Sequence, residues 1–141
     1  MDPRISVITL AVDDLKRSVA FYRDGLGFPT DENDSANPEN GPEFFFAMDH
    51  HMILVLLSRL ELAKDARIPA SPPSASEICL GHIAASREEV DAIMDQVARA
   101  GGHVTDHARE RNWGGYSGFF QDPDGHLWEI ICSPQLEPDE S

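Results

Sequence analysis

The stretch GFFQDPDGHLWE, residues 118–129, predicts a β-hairpin. Apolar and aromatic residues stand on both sides of a central DPDG, which predicts two strands, 116–121 and 126–132, joined by a tight turn. In such a turn Asp side chains bond the backbone and Gly adopts positive φ. We therefore predict that Asp122 and Asp124 hold the turn rather than a ligand.

The residues before this hairpin predict one strand, one helix and a second short strand. Residues 77–85 are predicted to form the first strand. The segment SREE, 86–89, is a capping box that opens a helix with a buried apolar stripe, and Gly101-Gly102 ends that helix. A short strand, 103–105, and a loop, 106–115, complete the connection to the hairpin.

The first half of the chain repeats this order of elements. A β-branched strand, 5–12, precedes a helix capped by Asp13 or Asp14 and ended at Gly25-Leu26-Gly27. A short strand at Phe28, a polar loop at 31–42 and a hairpin, 43–48 with 52–58, follow. The sequence thus predicts a single α+β domain built from paired βαβββ modules, about 5–60 and 77–134. A Pro/Ser-rich linker, 68–76, joins the modules, and an acidic tail, 135–141, follows the second.

Composition excludes several classes of partner. The formal net charge of −14 disfavours nucleic acids and anionic membranes. No apolar run approaches the roughly 20 residues of a membrane span, and the amino terminus lacks a signal-peptide pattern, so we expect a cytoplasmic protein. Cys79 and Cys132 match no CxxC spacing and are predicted to be free thiols buried in strands.

Three motifs carry a family resemblance. The segments VDDLKRSVAFYRDGLGF (12–28), WGGYSG (113–118) and GFFQDPDGHLWE (118–129) resemble the vicinal oxygen chelate superfamily, which includes glyoxalases, bleomycin resistance proteins and extradiol dioxygenases. The resemblance extends from about residue 5 to residue 134. It implies that the two modules enclose a trough for a small molecule, and that the protein is a homodimer.

The resemblance also implies four metal-ligand positions: Val7, Val55, His82 and Glu129. Valine cannot coordinate a metal, so the first module contributes no ligand. His82 and Glu129 are expected to lie on adjacent strands and point into the trough. This half-site predicts a divalent metal (zinc, nickel, iron or manganese) that is weakly bound or absent. The alternative is a metal-free pocket in which His82 and Glu129 are hydrogen-bonded to each other.

Other residues are candidates for contact with the ligand. The expected substrate-binding side chains are those of Trp113, Tyr116, Phe44, Phe46, Val7 and Val55, although most of the Phe surface is predicted to be core. His50 and His51 are predicted to form an exposed hairpin tip. His107 is predicted to lie at the surface, and it is the first candidate if a third ligand exists. Cys79 and Cys132 are expected to face away from the ligand positions, because each lies three residues from one of them.

Two functions remain open at this point. The first is a metal-dependent lyase or dioxygenase in which Glu129 is a metal ligand or catalytic base, although true glyoxalase I activity is not expected from two ligands. The second is a non-catalytic protein of the bleomycin-resistance type that sequesters a drug or metabolite. The acidic charge favours a cationic ligand in this second case.

Overall fold

The computed structural model describes residues 1–30 and 41–137, so part of the predicted 31–42 loop and most of the acidic tail lie outside the described residues. The chain divides into two compact units, Met1–Pro72 and Pro73–Ser141. The boundary falls inside the predicted Pro/Ser-rich linker. No helix in the described ranges is long and apolar enough to cross a membrane.

The first unit consists of a three-stranded sheet with helices. In chain order its elements are β1 (Val7–Val12), α1 (Leu15–Val19) continued by a π-helical turn (Ala20–Gly25), β2 (Glu43–Ala47), β3 (Ile53–Ser58) and α2 (Arg59–Ala66). The strand order is β1-β3-β2, with β1 parallel and β2 antiparallel to β3. Asp14 is the N-cap of α1, as predicted, because its carboxylate accepts the backbone N–H of Arg17.

Two features of the first unit differ from the sequence-based expectation. The short strand predicted at Phe28 is reduced, among the described residues, to a single bridge between Thr30 and Phe46. The helix α2, directly after β3, was not predicted. Its hydrophobic periodicity is weak, and Ala63 is its only buried residue.

The described residues of the second unit form a four-stranded sheet and one helix. Its elements are β4 (Cys79–Ile83), α3 (Arg87–Arg99), β5 (His103–Glu110), β6 (Tyr116–Gln121) and β7 (Leu127–Cys132). The strand order is β4-β7-β6-β5, with β4 parallel to β7 and the other pairs antiparallel. This arrangement confirms the α+β class with βαβββ modules. The predicted loop at 106–115 is wrong in its first half, because β5 continues to Glu110 through register irregularities opposite β6.

The predicted capping box and hairpin turn are both present in the second unit. Ser86 accepts the backbone N–H of Glu89, and the Glu89 carboxylate accepts the backbone N–H of Ala85 at 2.6 Å. In the DPDG turn, Gly125 has φ +89° and its N–H bonds to the carbonyl of Asp122. Asp122 Oδ1 accepts the backbone N–H groups of Asp124 and His126, which confirms its role in the backbone of the turn.

Each sheet buries one face under helices. In the first unit this face carries Phe44 and Phe46, whose rings contact each other, and Phe46 also contacts the ring of Tyr22. In the second unit α3 packs mainly on β5, β6 and β7, and Phe120 stacks on Trp128 beneath it. Burial of such large rings supplies much of the hydrophobic stabilisation of a small unit.

Candidate functional site

Strand register places Glu129 on the face of the second sheet that α3 does not cover. Gly81 is the partner of Glu129 on β4, and Phe119 is its partner on β6. Residues of one face alternate along each strand, so this face carries Cys79, Gly81, Ser117, Phe119, Leu127, Glu129 and Ile131. We refer to this surface as the Glu129 face. The opposite surface, which carries Gly118, Phe120, Trp128 and Ile130, is the helix face.

The predicted pairing of His82 with Glu129 on one face is wrong. His82 is the register partner of Ile130, whose side chain is buried on the helix face. Directly paired residues of parallel strands project to the same side of a sheet, so His82 and Glu129 project to opposite sides. His82 is nevertheless exposed, because β4 is the edge strand and α3 packs mainly over the other three strands.

Register also shows which residue of the second unit corresponds to Val7. In the first unit Val55 pairs with Thr9, and Val7 stands two positions before Thr9. In the second unit Glu129 pairs with Gly81, and Cys79 stands two positions before Gly81. Val7 and Cys79 also stand at the same distance in sequence from the helix N-caps, Asp14 and Ser86. Cys79, rather than His82, is therefore the structural equivalent of Val7.

Cys79 and Cys132 are free but not buried as predicted. Cys79 is exposed and Cys132 is half-buried. Cys79 shares the Glu129 face, contrary to the expectation that it faces away from both ligand positions. Desolvation, and then the negative charge of Glu129, raise the pKa of the Cys79 thiol. The thiol therefore stays protonated near neutral pH.

A chain of hydrogen bonds reaches Glu129 from the end of β5. Ser117 donates its hydroxyl proton to Glu129 Oε2 at 2.8 Å. Arg111 donates from Nε to Ser117 Oγ at 2.9 Å and from a terminal nitrogen to the Ser117 carbonyl at 2.8 Å. The Arg111 guanidinium lies over the Phe119 ring, 5.3 Å from its centroid. Ser117 is fully buried and the Arg111 side chain is only 9% exposed, so this polar chain is built into the sheet.

Asp106 fixes the outer end of this chain. Its carboxylate accepts hydrogen bonds from Arg109 and from Arg111, the latter at 2.8 Å. The bonds from Arg109, followed by that from Arg111, lower the pKa of Asp106 to about 2. Asp106 is therefore an anion throughout the physiological range and holds the Arg111 guanidinium in place.

The hydrogen-bonding capacity of Glu129 is only partly used. In the described part of the chain, Ser117 is the one donor to its carboxylate, and it binds Oε2. Oε1 has no hydrogen-bond partner among the described residues, and it is not fully buried, because no fully buried side-chain oxygen in them lacks a partner. Phe119, Leu127 and Ile131, all half-buried, supply apolar surface around it. The Glu129 face thus combines apolar surface with a polar group, as ligand-binding surfaces do.

The other predicted site residues lie elsewhere. Phe44 and Phe46 are 2% and 0% exposed and lie in the core of the first unit. The ring of Phe45, which is the register partner of Val55, is less buried than theirs. Val7 is 51% exposed, whereas Val55 is buried at 6%. Both valines lie on the face of their sheet that Phe44 and Phe46 do not occupy.

Tyr116 and Trp113 do not join the Glu129 face. Tyr116 lies on the helix face, where its hydroxyl donates to Asp91 of α3 and its ring lies under Arg87. With Arg87 and Cys132 it lines a cavity of about 330 Å³ at the end of that face. Trp113 is 46% exposed, and its ring occupies the space that a Cβ on Gly115 would need.

His50, His51 and His107 match their predicted surface positions. His50 and His51 are exposed in the turn between β2 and β3, both with positive φ. His107 is exposed on β5. Among the described residues, three metal-ligating side chains converge only at Asp122, Asp124 and His126, within the DPDG turn. There Asp122 Oδ2 bonds His126 Nδ1 at 2.7 Å, so this cluster is occupied with holding the turn.

The family model of the Glyoxalase/Bleomycin resistance protein/Dioxygenase superfamily matches residues 4–130, which is most of the chain. The chain belongs to this superfamily. No curated protein matches it significantly.

Solved structures of the superfamily resemble the chain over nearly its whole length. A glyoxalase-related enzyme from Fulvimarina pelagi is 29% identical, with a TM-score of 0.81 and coverage of 94% of this chain and 89% of that one. A lactoylglutathione lyase from Agrobacterium tumefaciens is 23% identical, with a TM-score of 0.70 and coverage of 99% and 100%. A glyoxalase/bleomycin resistance protein/dioxygenase from Nocardioides is 21% identical, with a TM-score of 0.76 and coverage of 100% and 91%. The last two show the shared fold alone.

The described residues do not fit a superfamily metal centre at Glu129. A catalytic zinc site needs about three protein ligands. The Glu129 face offers the Glu129 carboxylate and the protonated thiol of Cys79, whereas His82 lies on the other side of the sheet. The equivalent positions of the first unit, Val7 and Val55, carry no donor atoms. No third ligating side chain from the described residues converges on Glu129.

Proposed function

We propose that this superfamily member binds a small molecule non-covalently, with Glu129 accepting hydrogen bonds from a cationic or donor-bearing group of the ligand. The observation that carries the proposal is Oε1 of Glu129, which has no hydrogen-bond partner and is not fully buried, on a sheet face where the described residues bring no three metal-ligating side chains together. A carboxylate that does not bind a metal recognises N–H and O–H donors, most strongly charged ones.

The surroundings of Glu129 support this choice of ligand. Phe119, Leu127 and Ile131 offer apolar contact to the body of the ligand. The formal charge of the chain, −14, attracts cations and repels anions over longer distances. The nearest guanidinium, that of Arg111, is already bonded to Asp106 and Ser117. The proposal corresponds to the bleomycin-resistance alternative, and sequestration of a cationic drug or metabolite is its simplest biological form.

A metal-dependent lyase or dioxygenase is the second candidate. It is favoured by the likeness to the glyoxalase-related enzyme from Fulvimarina pelagi at 29% identity. In that case Glu129 acts as a base or as a metal ligand. The incomplete donor set around Glu129 places this candidate second. The ligand trough shared by the two modules, and the homodimer, stay predictions.

A matched pair of probes tests the proposed function. Benzamidinium and benzoate have the same size and planar shape but opposite charge. Titration calorimetry should show benzamidinium binding to the wild type and no comparable binding of benzoate. Glu129→Gln should weaken benzamidinium binding by at least tenfold, because it removes the charge of the acceptor. His82→Gln is the matched control and should leave the affinity unchanged. Equal binding of the two probes, or full affinity in Glu129→Gln, would contradict the proposal.

A further inference from the structure

The chemistry of the side chains determines which group donates and which accepts in the hydrogen bonds from Arg111 to Ser117 and from Ser117 to Glu129. A guanidinium has only donors, so Ser117 Oγ must accept the proton of Arg111 Nε. The single hydroxyl proton of Ser117 is then available for Glu129 Oε2, at 2.8 Å. The hydrogen bonds therefore run from Arg111 through Ser117 to Glu129.

Arg111 has little freedom to move away from this arrangement. Its Nε and both terminal nitrogens all donate hydrogen bonds, to Ser117 Oγ, the Ser117 carbonyl and Asp106. Its plane lies over the Phe119 ring, and Phe119 is the direct partner of Glu129 on the neighbouring strand. A side chain with so many partners and 9% exposure is held in one rotamer.

These hydrogen bonds make the two carboxylate oxygens of Glu129 different from each other. Oε2 is occupied by the Ser117 hydroxyl, which restrains the carboxylate, and Oε1 is left not fully buried and without a partner among the described residues. We propose that Arg111 and Ser117 are positioning residues that orient Glu129 Oε1 toward the ligand, so that the site selects a cationic N–H donor over a neutral group of the same shape. This inference rests on the proposed function and names the device that determines its ligand class.

The test compares benzamidinium with benzamide, its neutral isostere, by titration calorimetry on the full chain. The readout is the ratio of the two affinities, because loss of packing would weaken both probes together. Ser117→Ala removes the hydroxyl that holds Oε2, so the preference for benzamidinium should fall by roughly tenfold, the size expected for a hydrogen bond to a charged group. Arg111→Lys keeps the charge but loses the planar fork, so the preference should fall in the same direction.

Arg109→Lys is the matched control, because the Arg109 side chain bonds Asp106 and not the Ser117 hydroxyl, and the strand pairing of Arg109 with Ser117 involves only the backbone. It should leave the preference unchanged. If Ser117→Ala does not fold, Arg111→Lys with its Arg109→Lys control decides the question. An undiminished preference in the folded Ser117→Ala and Arg111→Lys variants would overturn the positioning role and leave the proposed function intact. Equal affinity of the wild type for benzamidinium and benzamide would also overturn the inference, whereas the proposed function would be overturned only if neither probe binds.

Discussion

In the first unit, the parallel pair β1–β3 aligns Thr9 with Val55, whereas in the second unit the pair β4–β7 aligns Gly81 with Glu129. The backbone plan of the two units is the same, but the side chains differ. Val55 is apolar and buried, whereas Glu129 carries a hydrogen-bonded carboxylate. The comparison teaches that a repeated βαβββ plan specifies where side chains lie and leaves their chemistry free. Function must therefore be argued from the residues at equivalent register positions.

The largest change in stability is expected for a substitution that tests which face of the first sheet belongs to the hydrophobic core. Phe46 is fully buried and contacts the rings of Tyr22, Phe28 and Phe44. Phe46→Ala should lower the free energy of unfolding by about 3–5 kcal/mol, as expected for removal of a buried aromatic ring. Phe45→Ala, on the other face of the same strand, is the control and should cost clearly less. Equal losses in chemical denaturation would show that both faces of the first sheet are equally buried.

A smaller effect is expected where Glu129 is replaced by the residue type found at its equivalent, Val55. In Glu129→Val the buried Ser117 hydroxyl loses its acceptor, so the unfolding free energy should fall by about 1–3 kcal/mol. Glu129→Gln keeps an acceptor oxygen and should cost less. If Glu129→Val instead raises the free energy of unfolding, the hydrogen bonds that link Arg111, Ser117 and Glu129 contribute to function and not to stability.

The hairpin turns of the two units differ in the type of residue that has positive φ. The turn of the second unit places glycine at positive φ, at Gly125, whereas the first unit has His50 and His51 there, with φ of 60° and 61°. Gly125→Ala should destabilise by about 1–2 kcal/mol, since an L side chain is strained in that region. Gly41→Ala, at a glycine without positive φ or close neighbours, should be nearly neutral. His51→Gly should not destabilise the first unit, and a clear loss there would show that the histidine side chain contributes more than its backbone strain costs.

Much of this architecture is predictable from the sequence, and the DPDG turn shows why. A tight turn at 122–125 fixes the register of the strands beside it, so the pairing of Phe119 with Glu129 and the diagonal approach of Ser117 follow from the sequence. The capping box and the Asp14 cap were predicted for similar local reasons. The face of His82 was not predictable in this way, because β4 and β7 pair in parallel across a long connection that no turn sets. Arg111 was not among the predicted site residues, since nothing local indicates that it folds back onto Ser117.

A subtle effect on thiol chemistry checks that Cys79 and Glu129 share a face. The negative charge of Glu129 helps to raise the pKa of Cys79, so Glu129→Gln should lower that pKa and increase the thiolate fraction near neutral pH. Alkylation of Cys79 by iodoacetamide should accelerate by a few-fold at most. The measurement uses a Cys132→Ser background so that one thiol reacts. His82→Ala should leave the rate unchanged, and an acceleration in His82→Ala but not in Glu129→Gln would reverse the assignment of faces.

The most direct test of the account uses two adjacent isoleucines as reporters. Ile131 lies on the Glu129 face, where its δ1 methyl is 3.7 Å from the ideal Cβ position of Gly81, and Ile130 is buried on the helix face. Titration of ¹³C-methyl-labelled protein with benzamidinium should shift the Ile131 methyl resonance and leave that of Ile130 nearly in place. At the same benzamidinium concentration, the shift at Ile131 should be much smaller in Glu129→Gln. A ligand-induced shift confined to Ile130, on the side of His82, would contradict the account.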